Sequence, residues 1–135
     1  MARILLLDDD LVLSKLIVQS LELADLGECV HFDALQGAYD YLEGNEVDLA
    51  IVDLFFRKDE VLKKKGGLTF ISKMRQIERK PLPIIAISGA FDASFGVHLK
   101  TSAKTLGATA VLSKPFHPDD LVSLVRRLLA EGRTT

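Results

Sequence analysis

Residues 4–10 read Ile-Leu-Leu-Leu-Asp-Asp-Asp, a short apolar run that stops at three consecutive carboxylates. A compact run of this kind predicts a buried β-strand. It is too short to be the apolar centre of a signal peptide. The segment therefore predicts a first strand that carries acidic side chains at its carboxyl end.

The rest of the chain alternates similar apolar runs with amphipathic stretches. Strands are predicted over residues 4–7, 29–32, 49–52, 82–87 and 110–112. Helices are predicted over residues 11–24, 33–42, 68–77, 98–106 and 119–129. Strands separated by helices need crossover connections, which make the sheet parallel and place helices on both of its faces. The sequence therefore predicts an α/β fold in three layers, with a five-stranded parallel sheet in the middle.

The composition indicates one globular domain. The chain has 135 residues, of which 48% are hydrophobic and 27% are charged, and this length is sufficient for one core. Its 17 basic and 19 acidic residues nearly cancel, so no strong field favours nucleic acid or a membrane. The lone cysteine, Cys29, fits a reducing compartment. We expect a cytoplasmic domain over residues 1–131, a tail over residues 132–135, and no output domain.

Polar residues follow four of the five predicted strands. They are Asp8 and Asp9, then Asp53, then Ser88, and finally Lys114. Ligands of open parallel sheets bind outside the carboxyl ends of the strands, so these side chains are expected in one crevice. Carboxylates about 4 Å apart repel by roughly 1 kcal/mol even in water, and a cation would remove that cost.

This set of residues suits phosphoryl transfer. Mg²⁺ prefers oxygen ligands and commonly shares phosphate oxygens with one or two carboxylates. Lys114 offers a second positive charge, and Ser88 offers a hydroxyl donor. Phosphoryl transfer depends mainly on positioning and charge neutralisation, and an aspartate can act as the covalent acceptor. The sequence therefore predicts a magnesium-dependent phosphoryl-transfer site.

Four motifs at these strand ends resemble the receiver domains of two-component response regulators. They are ILLLDDD (4–10), DLAIVDL (48–54), IIAISG (84–89) and GATAVLSKPF (107–116). The resemblance implies a flavodoxin-like sheet of order 2-1-3-4-5. It also implies that a sensor histidine kinase or a phosphotransfer protein phosphorylates Asp53, and that the signal then passes to a downstream protein. From the charge balance, we expect no nucleic-acid or membrane partner.

The resemblance further implies a set of ligands for Mg²⁺, or alternatively Mn²⁺. They are Asp9 and Asp53 directly, Asp8 through a water molecule, and the main-chain carbonyl of Phe55. Ser88 is expected to move toward the phosphoryl group, and Lys114 is expected to pair with it. The chain would then catalyse only its own phosphorylation and dephosphorylation.

The sequence departs from the family pattern in three places. Phe-Arg at residues 56–57 replaces the usual Met-Pro pair, and residues 58–65 form a charged insertion. The segment 88–107 is longer than usual. Val111 occupies the position of the aromatic residue that commonly switches in receivers. Activation therefore cannot be reported by rotation of an aromatic ring at that position.

Two positions beside the acceptor predict a long-lived phosphoryl group. Phe55 and Ala90 lie two residues past Asp53 and Ser88, where receivers with rapid self-dephosphorylation often carry polar groups that orient water. Neither side chain can orient a water molecule. Loading with acetyl phosphate and timing the decay tests this prediction, and a half-life of seconds would contradict it.

Two other functions fit parts of the sequence. Asp8 and Asp10 match the Asp-x-Asp opening of haloacid-dehalogenase-like phosphatases, in which they would be the nucleophile and the acid/base. Against this, residues 119–120 precede a helix rather than follow a strand, and Asp53 would have no role. The other alternative is a binding module that keeps the receiver fold and is never phosphorylated. Identifying the phosphorylated residue separates these interpretations.

Several polar residues have purely structural interpretations. Helix starts are expected at Asp10 or Asp9, at Asp33, and at residues 119–120, where carboxylates can accept from free N–H groups or suit the helix dipole. The histidines lack the spacing of metal ligands and are expected at the surface or in packing; they are His31, His98 and His117. Cys29 is expected to be an inert, small apolar residue.

Overall fold

The apolar runs form strands and the amphipathic stretches form helices in a computed structural model, which describes residues 2–54, 66–89 and 96–133. Within these residues the strands are β1 (Arg3–Leu7), β2 (Glu28–Phe32), β3 (Leu49–Asp53), β4 (Ile84–Ser88) and β5 (Ala110–Ser113). The helices are α1 (Leu11–Leu23), α2 (Leu35–Gly44), α3 (Gly66–Ser72), α4 (Gly96–Leu106) and α5 (Pro118–Arg133). A π-helical segment, Lys73–Ile77, continues α3.

The five strands form one parallel sheet of order β2-β1-β3-β4-β5. This confirms the predicted flavodoxin-like fold. The pairing register aligns Leu7 with Val52, Asp53 with Ile87, and Ser88 with Ser113. The residues that follow these aligned positions therefore emerge side by side at the carboxyl edge of the sheet.

Both faces of the sheet are covered, which explains why the strands are continuous apolar runs. Leu5 of β1 points toward the layer of α2, α3 and α4, where it shares a buried cluster with Phe70. Its neighbour Ile4 points to the opposite layer of α1 and α5, among Leu21 and Val125. Because successive side chains of a strand alternate between faces, each central strand contributes to both cores.

The predicted cap residue is confirmed for α1 and is wrong for α2. Asp10 caps α1, and its carboxylate accepts from the N–H groups of Val12 and Leu13 at 3.1 Å each. The predicted cap Asp33 is wrong, because the residue before α2 is Ala34, which makes no side-chain cap hydrogen bond. Ala34 is still extended, with φ −149° and ψ 151°, and α2 begins at Leu35, two residues later than the predicted start at residue 33.

Several other boundaries also move; α3, for example, begins at Gly66 rather than at residue 68. β4 begins at Ile84 rather than at residue 82, because Pro83 has no N–H to donate to a neighbouring strand. α4 begins at Gly96, two residues earlier than predicted. α5 extends to Arg133, so the first residues of the predicted tail belong to this helix. Among the described residues, no helix is long and apolar enough to cross a bilayer.

Gly67 lies against the backbone at the end of β3. A Cβ at this position would lie 2.7 Å from the Cα of Leu54, and closer still to the main-chain oxygen of Asp53. We expect Gly67→Ala to lower the free energy of unfolding by about 1–3 kcal/mol, the usual cost of overpacking. Urea denaturation measures this change.

Gly44→Ala is the matched control for this prediction. Gly44 closes α2, and a Cβ added there would meet nothing within 4 Å. Since alanine is the better helix former, this variant is expected to be as stable as the parent or slightly more stable. Equal losses of stability in the two variants would contradict a role for close packing at Gly67.

Candidate functional site

The carboxyl edge of the sheet holds three carboxylates that belong to different segments of the chain. Asp8 and Asp9 follow β1, and Asp53 ends β3. One oxygen atom from each of the three lies within 4.8 Å of the other two. Asp8 is fully buried and Asp53 is only 3% exposed. Burial strengthens the repulsion between carboxylates, so the cluster concentrates negative charge where water cannot fully screen it.

Hydrogen bonds hold the segment that carries Asp8. Its main-chain N–H donates to the carbonyl of Phe32 at 3.0 Å, and its Oδ1 accepts from the N–H of Asp10 at 2.9 Å. Its other carboxylate oxygen, Oδ2, is buried and has no hydrogen-bond partner within the described part of the chain. A buried acceptor left in this state costs about 1–3 kcal/mol, and a bound cation would remove that cost.

Burial also raises the pKa of the Asp8 carboxyl above its ordinary value of 3.8. The N–H of Asp10, the Asp53 side chain and the positive charge of Lys114 act in the opposite direction, while the charge of Asp10 adds to the rise. The dominant cause is loss of water around the charged form. The ionised form of Asp8 is therefore costly in the folded protein unless a cation is bound.

Lys114 places a positive charge beside the cluster. Its Nζ lies 3.4 Å from Oδ2 of Asp53, and the two side chains are 25% and 4% exposed. The main-chain N–H of Lys114 donates to the carbonyl of Ser88 at 2.7 Å, which ties the end of β5 to the end of β4. Ser88 itself is 1% exposed. The hydroxyl-bearing and ammonium-bearing residues are therefore fixed to each other through the backbone.

The donor set fits a magnesium ion. Mg²⁺ takes oxygen ligands and usually keeps several waters beside one or two carboxylates. The cluster offers three carboxylates. The unpartnered Oδ2 of Asp8 could accept a hydrogen bond from a water molecule bound to the ion. On this arrangement Asp9 and Asp53 would be the direct ligands. The carbonyl of Phe55 lies outside the described residues, as do residues 56–65, 90, 91 and 95.

The structure does not bring together all the acidic residues that a phosphatase would need. The carboxylate of Asp10 serves as the cap of α1, so it is engaged with backbone N–H groups. Asp119 and Asp120 lie in the first turn of α5, as predicted. Among the described residues, the group of carboxylates able to share a metal contains none of these three residues. The alternative assignment of Asp8 as nucleophile and Asp10 as acid/base therefore gains no support.

The other two histidines and the cysteine give no sign of a second reactive site among the described residues. His117 is exposed, and its Nδ1 accepts from the N–H of Asp119 at 3.1 Å. His98 lies in α4, and its side chain is not among those that the structure describes. Burial raises the pKa of Cys29 to about 12, with a smaller contribution from Glu22. A thiol with such a pKa stays protonated at neutral pH and is a poor nucleophile, in line with the prediction of an inert cysteine.

Two residues near the site were not singled out by sequence reasoning. His31, expected at the surface or in packing, is half-buried, and its Nε2 lies 2.7 Å from the main-chain oxygen of Asp8. Gly67 contacts the backbone of Asp53. The glycine pair after the insertion was a visible signal for a close approach. No sequence signal indicated the contact of His31, because it depends on the register in which β2 pairs with β1.

Comparisons with known proteins agree with this geometry. A family model described as the response regulator receiver domain matches residues 4–126. The chain is 32% identical to the response regulator receiver protein CpdR of Brucella abortus, over 96% of this chain and 98% of that protein. It is 31% identical to the transcriptional regulatory protein CpxR of Escherichia coli (strain K12), over 96% of this chain and 50% of CpxR. The chain thus spans about half the length of the CpxR relatives.

Solved structures give the same picture. The structure of a putative response regulator from Chloroflexus aurantiacus matches with a TM-score of 0.79 and 27% identity, covering 96% of this chain and 98% of that one. A response regulator from Thermotoga maritima matches with a TM-score of 0.76 at 22% identity, covering 96% of this chain and 98% of that chain, and so supports the fold alone.

Proposed function

Because the chain belongs to the response regulator receiver family, we propose that it signals through a phosphoryl group on Asp53, acquired with the help of Mg²⁺. One observation carries this proposal. Asp53 is a nearly buried carboxylate that shares a 4.8 Å cluster with two other carboxylates and lies 3.4 Å from the ammonium group of Lys114. An acceptor, a cation site and a counter-charge thus occupy one crevice.

The phosphoryl group would come from a phosphohistidine of a sensor kinase or of a phosphotransfer protein. A carboxylate oxygen of Asp53 attacks phosphorus, the P–N bond breaks, and the imidazole nitrogen leaves with the electron pair. The metal, when bound, neutralises charge on the phosphoryl oxygens. Lys114, whose Nζ lies 3.4 Å from Oδ2 of Asp53, supplies a second positive charge, and the Ser88 hydroxyl donates to a phosphoryl oxygen.

An apolar surface beside the crevice supports docking of the phosphoryl donor. Leu11, Val12 and Leu16 on α1 are 62%, 82% and 45% exposed. The helix begins directly after Asp10, so its first turn borders the acidic segment. Exposed large apolar residues gathered beside a reactive group are typical of an interaction surface. We place this encounter in the cytoplasm, in keeping with the single cysteine.

The output is a change in affinity for a downstream protein. Val111 is partly buried against the core formed with α2, α3 and α4, and it has no ring that could turn inward. The signal would therefore be carried by Ser88 and by the end of β5, which are joined through the backbone hydrogen bond of Lys114. A coupling of about 1–3 kcal/mol between phosphorylation and partner binding would suffice.

A small phosphoryl donor tests this function without knowledge of the kinase. The protein is incubated with acetyl phosphate and Mg²⁺, and intact-mass spectrometry follows the addition of one phosphoryl group. We expect the addition to depend on Mg²⁺, to be abolished by EDTA, and to be restored by Mn²⁺. Failure with acetyl phosphate and with phosphoramidate would instead favour a binding module that keeps the fold and takes no phosphate.

A further inference from the structure

His31, on the neighbouring strand β2, makes a hydrogen bond to the acidic segment that follows β1. It lies near the end of β2, and its Nε2 is 2.7 Å from the main-chain oxygen of Asp8. A carbonyl oxygen can only accept, so Nε2 carries the hydrogen and donates it. The next residue along β2, Phe32, accepts the N–H of Asp8 at 3.0 Å. The end of β2 therefore fixes both the N–H and the C=O of Asp8.

The carbonyl held by His31 belongs to the peptide unit that joins Asp8 to Asp9. A peptide unit is planar, so fixing its oxygen also fixes the orientation of the N–H of Asp9. The direction of the bond from Cα to Cβ of Asp9 then depends on few remaining rotations. The side chain of Asp8 is held independently by the N–H of Asp10 at 2.9 Å. His31 thus acts on the placement of Asp9 more than on that of Asp8.

We infer that His31 is a positioning residue for the metal site: its hydrogen bond to the Asp8 carbonyl orients the Asp8–Asp9 peptide so that both carboxylates face Asp53. This inference rests on the proposed function, since it assigns His31 a role toward the same cation. His31 itself is not among the described residues that could share a metal ion, and its Nε2 is engaged by a main-chain oxygen. Groups that orient metal ligands typically change metal affinity by 10–100-fold when they are removed.

The test compares the affinity of the apo protein for Mn²⁺, measured by electron paramagnetic resonance, and for Mg²⁺, measured by calorimetry. We expect His31→Leu, which removes the donor, to weaken binding about tenfold, at the lower end of that range. His31→Gln places an amide N–H near the position of Nε2 and should recover most of the affinity. His31→Asn has the same amide on a shorter chain and should behave like His31→Leu. This third variant preserves the test if the leucine variant does not fold.

Cys29→Ala is the matched packing control. Cys29 lies two residues earlier on the same face of β2 and packs against the cluster beneath α1 and α5. Its truncation should lower the unfolding free energy measured in EDTA and leave metal affinity unchanged. Equal metal affinities in the parent and in both donor-free variants would overturn the inference, as would an equal loss in Cys29→Ala. If the unaltered protein binds neither Mn²⁺ nor Mg²⁺, the proposed function fails together with this inference.

Discussion

The Asp53→Asn variant is expected to take up no phosphoryl group from acetyl phosphate, with an initial rate at least about a thousandfold below that of the parent. Loss of a covalent nucleophile has effects of this size or larger. The amide is uncharged and its oxygen is a much weaker nucleophile, while its volume matches that of the carboxylate. The rate of phosphoryl uptake in Mg²⁺, followed by intact mass, measures the change.

Two control variants define what this result means. Asp40→Asn removes an exposed carboxylate of α2 that accepts from Gln36, and it should be phosphorylated at the parental rate. Asp10→Asn keeps a side chain that caps helices well and should also be phosphorylated. A phosphatase that uses Asp10 as its acid/base would lose activity in the second control. Uptake by Asp53→Asn at a parental rate would show that the acceptor lies elsewhere.

The second large effect concerns stability without metal. In EDTA at neutral pH, Asp8→Asn is expected to be more stable than the parent by about 1 kcal/mol or more, because one of three clustered carboxylates is removed. For a domain of this size that corresponds to roughly 3–6 °C in Tm. Oδ1 of the asparagine can still accept from the N–H of Asp10, and its new N–H₂ group faces carboxylates that can accept.

The pH dependence of this difference follows from the raised pKa of Asp8. Below the ordinary value of 3.8, the carboxyl is neutral in both the folded and the unfolded chain. As pH rises from there through the folded pKa, the unfolded chain loses its proton first, so the parent loses stability. The advantage of Asp8→Asn should therefore be full at neutral pH and should vanish as pH falls toward the ordinary pKa.

Magnesium should reverse the order of the two proteins. A ligand at about 100 times its Kd stabilises the folded state by roughly 2.7 kcal/mol, and Asp8→Asn loses part of the metal site. Thermal unfolding at neutral and at acidic pH, each with and without Mg²⁺, compares the parent with Asp8→Asn under all four conditions. Asp40→Asn should have the same stability as the parent in each of them. A less stable Asp8→Asn protein in EDTA at neutral pH, or an advantage that grows toward acid, would contradict the account.

Much of the site follows from the sequence because the strands are short apolar runs with polar residues at their ends. To predict that Asp8, Asp53 and Lys114 lie at one edge, it is enough to know that the sheet is parallel and which strands are neighbours. The Asp10 cap was predictable for a similar reason, since capping is a local interaction. The misplaced cap at Asp33 has a local cause as well: two residues, not one, are needed to leave β2 and enter α2.

Contacts between distant segments were beyond sequence reasoning. Arg75, in the π-helical segment after α3, donates from Nε to the carbonyl of Gly107 at 3.0 Å. The hydrogen bond from His31 to Asp8 joins residues 23 positions apart. Both depend on the register of elements that come together only in the folded chain. A histidine or an arginine has many possible partners, and its spacing in the sequence does not select one.

Borohydride trapping of the phosphorylated protein tests the central claim most directly. Borohydride reduces an aspartyl phosphate to homoserine, and peptide sequencing then gives its position. The account predicts homoserine at residue 53 after treatment with acetyl phosphate and Mg²⁺, with aspartate retained at residue 8. Homoserine at residue 8, with aspartate retained at residue 53, would contradict it.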